Sequence, residues 1–270
     1  MARIALINQK GGVGKTTTTF NLGAALARRG FRVLLVDLDP QAHLTYHAGI
    51  AAHELELTLL DVLTGEATLS EVVCLRNEQL HLVPSNLGLS RAQKVLTEPG
   101  SEFLLREALE GHDGYDFVLM DCPPQLGILS INALVAARHV LVPVYPEFLS
   151  LAGLSQLLQT VEIVTRRLNP RLELMGVLIT NFDQRKNLHH EAAGSLRERF
   201  PEWVFQTVIR TNVALAEAPS YGQSIFEYAP TSLGAQDYEA LAGELLLRLQ
   251  SREVRHDPKP LGTPSGRQSP

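Results

Sequence analysis

The sequence is poor in cysteine and tryptophan, has no excess of positive charge and contains no long apolar run. Two cysteines in 270 residues, Cys74 and Cys122, make no disulfide framework, and a cytoplasmic location is the expectation. No stretch reaches the roughly eighteen apolar residues of a membrane span, so no transmembrane helix is expected. The first residues enter an apolar strand pattern at once, and neither a signal peptide nor a separate N-terminal DNA-binding domain is expected ahead of it. Lys and Arg number 24 against 29 Asp and Glu, a net charge of −5. That balance excludes a chain-wide basic surface, so any contact with nucleic acid must come from a local patch. What is present is a 45% hydrophobic chain long enough for one large α/β domain with a substantial core.

The most informative stretch is Lys10-Gly11-Gly12-Val13-Gly14-Lys15-Thr16-Thr17. An apolar run, Ile4 to Ile7, precedes it and reads as a buried strand; a helical pattern with Leu22, Ala25 and Leu26 on one face follows. Strand, glycine-rich turn and helix form the context of a phosphate-binding loop. The glycines let successive N–H groups turn inward, and the helix beginning near Lys15 adds its positive dipole end. Lys15 is placed to reach the β and γ phosphates, and the Thr16 hydroxyl to ligate Mg²⁺. Lys10 is a second lysine at the start of a loop that already has one. Like-charge repulsion in so tight a turn argues against a casual surface lysine, and an economical reading is that Lys10 reaches the nucleotide of a partner chain.

Arg32 to Val36 reads as a second strand, ending in Asp37 and Asp39, where the carboxyl end of a central strand faces the ligand crevice of an open α/β sheet. Either aspartate could instead cap the following turn. Tyr115 to Asp121 is the next strong strand; Pro123-Pro124 stiffens its exit, and Cys122 reads as a small buried thiol. Short helices are expected around Leu57 to Leu63, Leu87 to Leu96 and Glu102 to Glu110, and a strand at Leu80 to Pro84. Further strands are expected at His139 to Val144, Leu174 to Asn181 and Val204 to Ile209. Longer helices are expected at Leu149 to Leu168, about Leu188 to Phe200, and about Gly234 to Gln250. Between Asp183 and Arg210 lie Arg185, Lys186, Arg197, Arg199 and Arg210, with His189 and His190, against Asp183, Glu191, Glu198 and Glu202. This weak basic patch reads equally as a phosphate-binding surface or as a solvated helix face. Residues 251–270 are rich in Pro, Gly and Ser and are expected to be a disordered tail to a single domain of residues 1–250. Five basic residues (Arg248, Arg252, Arg255, Lys259, Arg267) stand against Glu253 and Asp257 from Arg248 onward, and the tail is expected to supplement the DNA surface.

Lys10 to Thr17, with Asp37-Leu38-Asp39-Pro40-Gln41 and Asp121-Cys122-Pro123-Pro124, resembles the ParA or Soj family of partition ATPases, in the deviant-Walker P-loop class related to MinD. The likeness runs from about Arg3 to about Leu249 and includes Ala216 to Ser220 and Ala229-Pro230. It implies an α/β fold: a P-loop NTPase-like, doubly wound, mostly parallel twisted sheet flanked by helices on both faces. By resemblance ATP and Mg²⁺ are the cofactors, held by Lys10, Gly11, Gly12, Val13, Gly14, Lys15, Thr16 and Thr17. Lys15, Asp39 and Lys10 carry the catalytic work: Asp39 positions the attacking water, and Lys10 couples chemistry to dimerisation. Thr16, Asp37 and Asp121 hold the metal, with Asp121 as the Walker B aspartate. Asn181 is implied to meet the adenine, although an Asn at a strand end is also a common turn former.

Departures from the family pattern are equally visible. Ala152 stands where the family usually has a glutamate. In Arg210-Thr211-Asn212-Val213-Ala214, implied to lie at the nucleotide through Arg210 and Asn212, Arg210 takes a proline position, and Thr211 and Ala214 take basic ones. The resemblance implies an ATP-joined homodimer that binds non-specific double-stranded DNA, is stimulated by a ParB-type partner, turns over slowly and associates with the nucleoid. The alternatives are a positioning ATPase with a protein cargo, a MinD-like membrane ATPase, and an iron-protein electron carrier. Residues 251–270 hold prolines and one leucine rather than an amphipathic helix, against the membrane reading; no cysteine lies at the cluster-ligand offset, against the last.

Overall fold

The computed structural model describes residues 1–147 and 150–253, and the side chains of all of these except 150–152 and 253. Ala152 and the tail from residue 254 onward, with Arg255, Asp257, Lys259 and Arg267, therefore lie outside what is described. Eight strands are found among the described residues: β1 (Ala2–Leu6), β2 (Val33–Asp37), β3 (Cys74–Leu75), β4 (Leu80–Val83), β5 (Phe117–Asp121), β6 (His139–Val144), β7 (Glu173–Phe182) and β8 (Val204–Arg210). They form one sheet in the order β3-β4-β2-β5-β1-β6-β7-β8, parallel except for β3 against β4.

The central strands read as unbroken apolar runs because both of their faces are covered. On β1, Ile4 and Leu6 face one layer and Ala5 the other; on β2, Val33 and Leu35 alternate with Leu34 and Val36 in the same way. The helices Lys15–Arg28 and Leu233–Glu253 cover the first face. The helices Ile128–Ala136, Ser150–Arg167 and Asn187–Arg199 cover the other. β1 sits where the chain reverses direction across the sheet: β5 and then β2 lie to one side, β6 to the other. This switch point opens a crevice at the carboxyl ends of the strands, where β1, β2 and β5 finish.

The last helix runs to Glu253, three residues past the expected domain end, because arginines fix it to the sheet. Arg248 stacks on the Phe205 ring at 3.9 Å and donates to the carbonyls of Trp203 (3.1 Å) and Val204 (2.8 Å), while Glu244 accepts from it at 2.9 Å. Arg252 donates to the Met175 carbonyl at 3.2 Å and pairs with Glu173. Both were assigned to a basic tail by charge alone; both are folded onto the sheet. Arg210 is paired as well: its guanidinium lies against Asp237 and its Nε donates to both carboxylate oxygens at 3.0 Å. Asp237 is 6% exposed and has no other cation in reach among the described ion pairs.

Removing one partner of a buried pair strands the other charge. Arg210→Met should cost about 2 kcal/mol in chemical denaturation, and a second change, Asp237→Leu, should restore most of it. A further expectation concerns His139, 7% exposed at the start of β6 with an unpartnered Nδ1. Burial first, then Arg252 and Arg138, hold it well below its ordinary value, at about 3. The folded chain keeps this ring neutral while the unfolded chain protonates it below its ordinary 6.5, so stability falls as pH drops from 6.5 toward 3. Urea titrations of His139→Leu should show a stability slope shallower by about one proton, roughly 1.4 kcal/mol per pH unit, between about pH 6 and pH 4.

Candidate functional site

The loop between β1 and its helix follows from its glycines. Gly12 and Gly14 adopt φ of 74° and 81°, the left-handed region that side chains disfavour, and Gly14 serves as the N-cap of the helix Lys15–Arg28. The first helical bond runs from Thr18 N to Gly14 O at 2.9 Å, so the amides ahead of it are not consumed by the helix. Open space lies where a Cβ would stand on Gly11 or Gly12. The result is a cradle of N–H groups facing a cavity of about 760 Å³. Lys15 is 7% exposed, its Nζ turned to the Lys10 carbonyl at 3.4 Å. Burial lowers its pKa, while Asp121, Cys122 and Asp39 pull the other way.

Two carboxylates lie beneath the loop. Asp37 and Asp121 end neighbouring strands in direct register, and both are buried. Asp121 Oδ2 accepts the Thr16 hydroxyl at 2.6 Å. Asp37 Oδ2 accepts from Thr45 N (2.9 Å) and Thr45 Oγ1 (2.8 Å), and its Oδ1 from Asp39 N (3.1 Å). Burial pushes Asp37 up to about 7 against the pull of those hydrogen bonds, and pushes Asp121 well above the carboxylate range, with Asp37 adding repulsion. A hydroxyl and a carboxylate meeting at one point beside a second buried carboxylate is a hard-oxygen set that fits Mg²⁺. Asp121 and Thr16 could touch the ion; Asp37, with its oxygens occupied by Thr45 and Asp39, could support them.

Asp39 stands higher, half-buried on the cavity wall. Its Oδ1 accepts from Gln41 N at 2.9 Å, and its carbonyl is held by Ser85 Oγ at 2.9 Å. Lys10 lies at the rim, ion-paired with Glu147 of its own chain, with its ammonium 5.6 Å from the centre of the Tyr145 ring. Its side chain is 48% exposed.

Candidates farther along the chain are spread out. Asn181 is exposed, with φ of 50° inside β7, where the pairing with β8 shifts register between Ile179 and Phe182. Asn212 caps the short helix Val213–Glu217, its Oδ1 accepting from Ala214 N at 2.9 Å. Neither lines the cavity over the loop, nor does Arg210. Of the remaining basic residues, Arg185 is bidentate to Asp183. Lys186 is the extended residue that precedes the helix Asn187–Arg199, and Arg197 and Arg199 lie on that helix about 160° apart, at about 100° per residue. The buried face of that helix, His189, Ala193 and Leu196, runs between the two.

Several residues that position the site carried no signal in the sequence. Thr180 Oγ1 donates to the Val13 carbonyl at 2.8 Å and lies 3.1 Å from that of Val144, tying the loop to β6 and β7. Asn8 Nδ2 donates to the Pro143 carbonyl (2.8 Å), and its Oδ1 accepts from Lys10 N (3.0 Å). Thr45 and Ser85, which fix Asp37 and Asp39, lie in stretches with no motif. Gln93, Gln125 and Ser90 also line the cavity. Gly49, past the helix His43–His47, lies backbone to backbone with Gly222: a Cβ on Gly222 would come within 2.6 Å of the Gly49 Cα.

Comparison with known proteins places this geometry. A family model described as an AAA domain matches residues 1–174. The chromosome-partitioning ATPase Soj of Thermus thermophilus is 49% identical over 92% of this chain and 96% of its own. The sporulation initiation inhibitor protein Soj of Bacillus subtilis is 45% identical over 90% of this chain and 97% of its own. Among solved structures, one described as cobyrinic acid a,c-diamide synthase of Mycobacterium smegmatis, with bound ADP and magnesium, superposes with a TM-score of 0.82 at 36% identity, covering 98% of this chain and all of that one. The Pyrococcus furiosus cell division ATPase MinD superposes with a TM-score of 0.75 at 29% identity, over 92% of this chain and 99% of its own. With partition ATPases at 42 to 49% identity over nearly the whole length, and the phosphate loop and its carboxylates in place, the chain belongs to the ParA and Soj family of partition ATPases.

Proposed function

We propose that this chain is a Mg²⁺- and ATP-dependent switch in which two copies close face to face around nucleotide, bind duplex DNA without sequence preference, and release it when a ParB-type partner stimulates hydrolysis. The observation that carries the reading is the stacking of the glycine cradle directly over the Thr16–Asp121 pair, with Asp39 on the wall beside it. In this reading Gly11 to Thr17 and Lys15 hold the phosphates, Thr16 and Asp121 hold the metal with Asp37 behind them, and Asp39 orients the water. Phosphoryl transfer asks for little more than such positioning and charge neutralisation. Lys10 leaves Glu147 and reaches the partner's nucleotide when the dimer forms. Intrinsic turnover is slow because a switch needs a long-lived ATP state. Residues 1–250 act as the single ATPase domain, Asn181 and Asn212 approach the base, and the protein works on the nucleoid.

A second reading, a positioning ATPase whose cargo is a protein, is favoured by one observation. Arg210 and Arg185 are already paired, and Arg197 and Arg199 occupy different flanks of their helix, which leaves a thin DNA surface.

Binding to random duplex DNA across a salt series separates the two. Asp39→Ala with ATP should bind DNA and lose affinity steeply with salt, while Lys15→Ala should not bind in any state. Lys186→Ala and Arg197→Ala should each lower the salt slope by about one. No DNA binding by Asp39→Ala, despite ATP-driven dimerisation, would transfer the case to the protein cargo. Lys10→Ala should leave ATP affinity of the monomer within about threefold yet abolish the ATP-dependent dimer by light scattering, since a charge exposed in the monomer contributes little there.

A further inference from the structure

Strand β7 carries a polar side chain into the interior near its carboxyl end. Val177 and Ile179 pack in one core layer and Leu178 in the other, so alternation puts Thr180, 3% exposed, on the Leu178 side, which the helix Lys15–Arg28 covers. The alternation stops directly after it. Asn181 adopts φ of 50°, and Phe182 returns to the layer of Ile179. A left-handed residue other than glycine is uncommon and persists where its surroundings over-determine it.

Thr180 Oγ1 lies 2.8 Å from the Val13 carbonyl and 3.1 Å from that of Val144. A hydroxyl has one proton to give, and the nearer acceptor is Val13. Val13 is buried, and its carbonyl has no other donor among the described residues. The Gly14 Cα faces the same way, since a β-carbon on it would stand 3.7 Å from Thr180 Cβ. The peptide joining Val13 to Gly14 is trans and planar, so its C=O and N–H point in opposite directions. A carbonyl turned to β7 therefore turns the Gly14 N–H away from β7. That N–H makes no hydrogen bond among the described residues, and Gly14 lines the cavity over the loop.

We propose that Thr180 is a positioning residue for the nucleotide: by holding the Val13 carbonyl, its hydroxyl aims the Gly14 N–H into the cradle, where it donates to a phosphate oxygen. The proposal rests on the reading that Gly11 to Thr17 hold the phosphates. Without the hydroxyl the buried Val13 carbonyl has no donor, and the peptide rotates to find one. The Gly14 N–H turns with it and leaves the phosphate. A contact of this kind is made before and during transfer alike, so its loss falls on binding rather than on the chemical step.

The test compares Thr180→Val, which keeps the size and removes the hydroxyl, with Thr180→Ser, which keeps the hydroxyl, both in the full chain. Thr180→Val should weaken Mg-ADP by about tenfold in calorimetric titration, as loss of one donor to a charged oxygen does, and Thr180→Ser should stay within about threefold of the parent. In steady-state hydrolysis the KM of Thr180→Val for Mg-ATP should rise by the same factor while kcat stays within about threefold. The Gly14 amide proton should move downfield on adding Mg-ADP to the parent and to Thr180→Ser, and that movement should be largely lost in Thr180→Val. A contact that only supports the fold would lower the urea midpoint of the nucleotide-free chain and leave Mg-ADP affinity, KM and the Gly14 shift alone; that result overturns the proposal. So does a Gly14 amide in the parent that ignores Mg-ADP, a measurement that stands even where Thr180→Val does not fold. Lys15→Ala separates the two readings. If it binds Mg-ADP as tightly as the parent, the phosphate-loop reading falls and the proposal with it; if it loses binding while Thr180→Val keeps it, the role of Thr180 alone falls.

Discussion

Two buried acids placed side by side set the terms for the rest of this molecule. Strand register brings Asp37 and Asp121 together under the phosphate loop, and burial raises the cost of charging either one. Thr45 offsets part of that cost for Asp37, and Thr16 does so for Asp121. Lys15 lies near Asp121 and loses some of its own basicity to burial. Such an arrangement is poorly satisfied by protein groups alone and well satisfied by a cation with phosphate above it. The preference for ligand is thus written into the packing of the sheet rather than added at its surface.

The sheet in turn exists to hold that register. Its central strands are apolar on both faces, so a slip by one residue would carry Asp37 or Asp121 to the wrong face as well as moving the core. Helices on each side lock the layers, and the arginines of the last helix clip the outer strands β7 and β8 through the carbonyls of Met175, Trp203 and Val204. β7 then delivers Thr180 to the loop. A chain of ordinary packing contacts therefore runs from the edge of the sheet to the cradle.

Much of this was legible in the sequence because it depends on local rules. Glycine spacing announces a loop of positive φ, and an apolar run ending in Asp announces a buried strand pointing into a crevice. The elements around Asp37, Asp121 and Lys15 follow from such signals. What stayed hidden depends on partners far apart in the chain. No spacing reveals that Arg210 belongs to Asp237, that Arg248 and Arg252 are structural, or that Thr45 supports Asp37. Counting charge along the chain treated these arginines as free, whereas the fold had already assigned them. Asn212 was found by likeness, but its cap of the next helix needs only the local rule that Asn starts helices.

The meeting of Gly49 and Gly222 places two main chains in contact with nothing between them. Elsewhere, side chains can swing aside and absorb a displacement; here there is no rotamer to yield. One glycine follows the helix that comes after Asp39, and the other closes the turn beyond Asn212. A side chain on Gly222 would have to push the two segments apart, so how closely the stretch after Asp39 and the turn beyond Asn212 approach is set by the absence of two β-carbons.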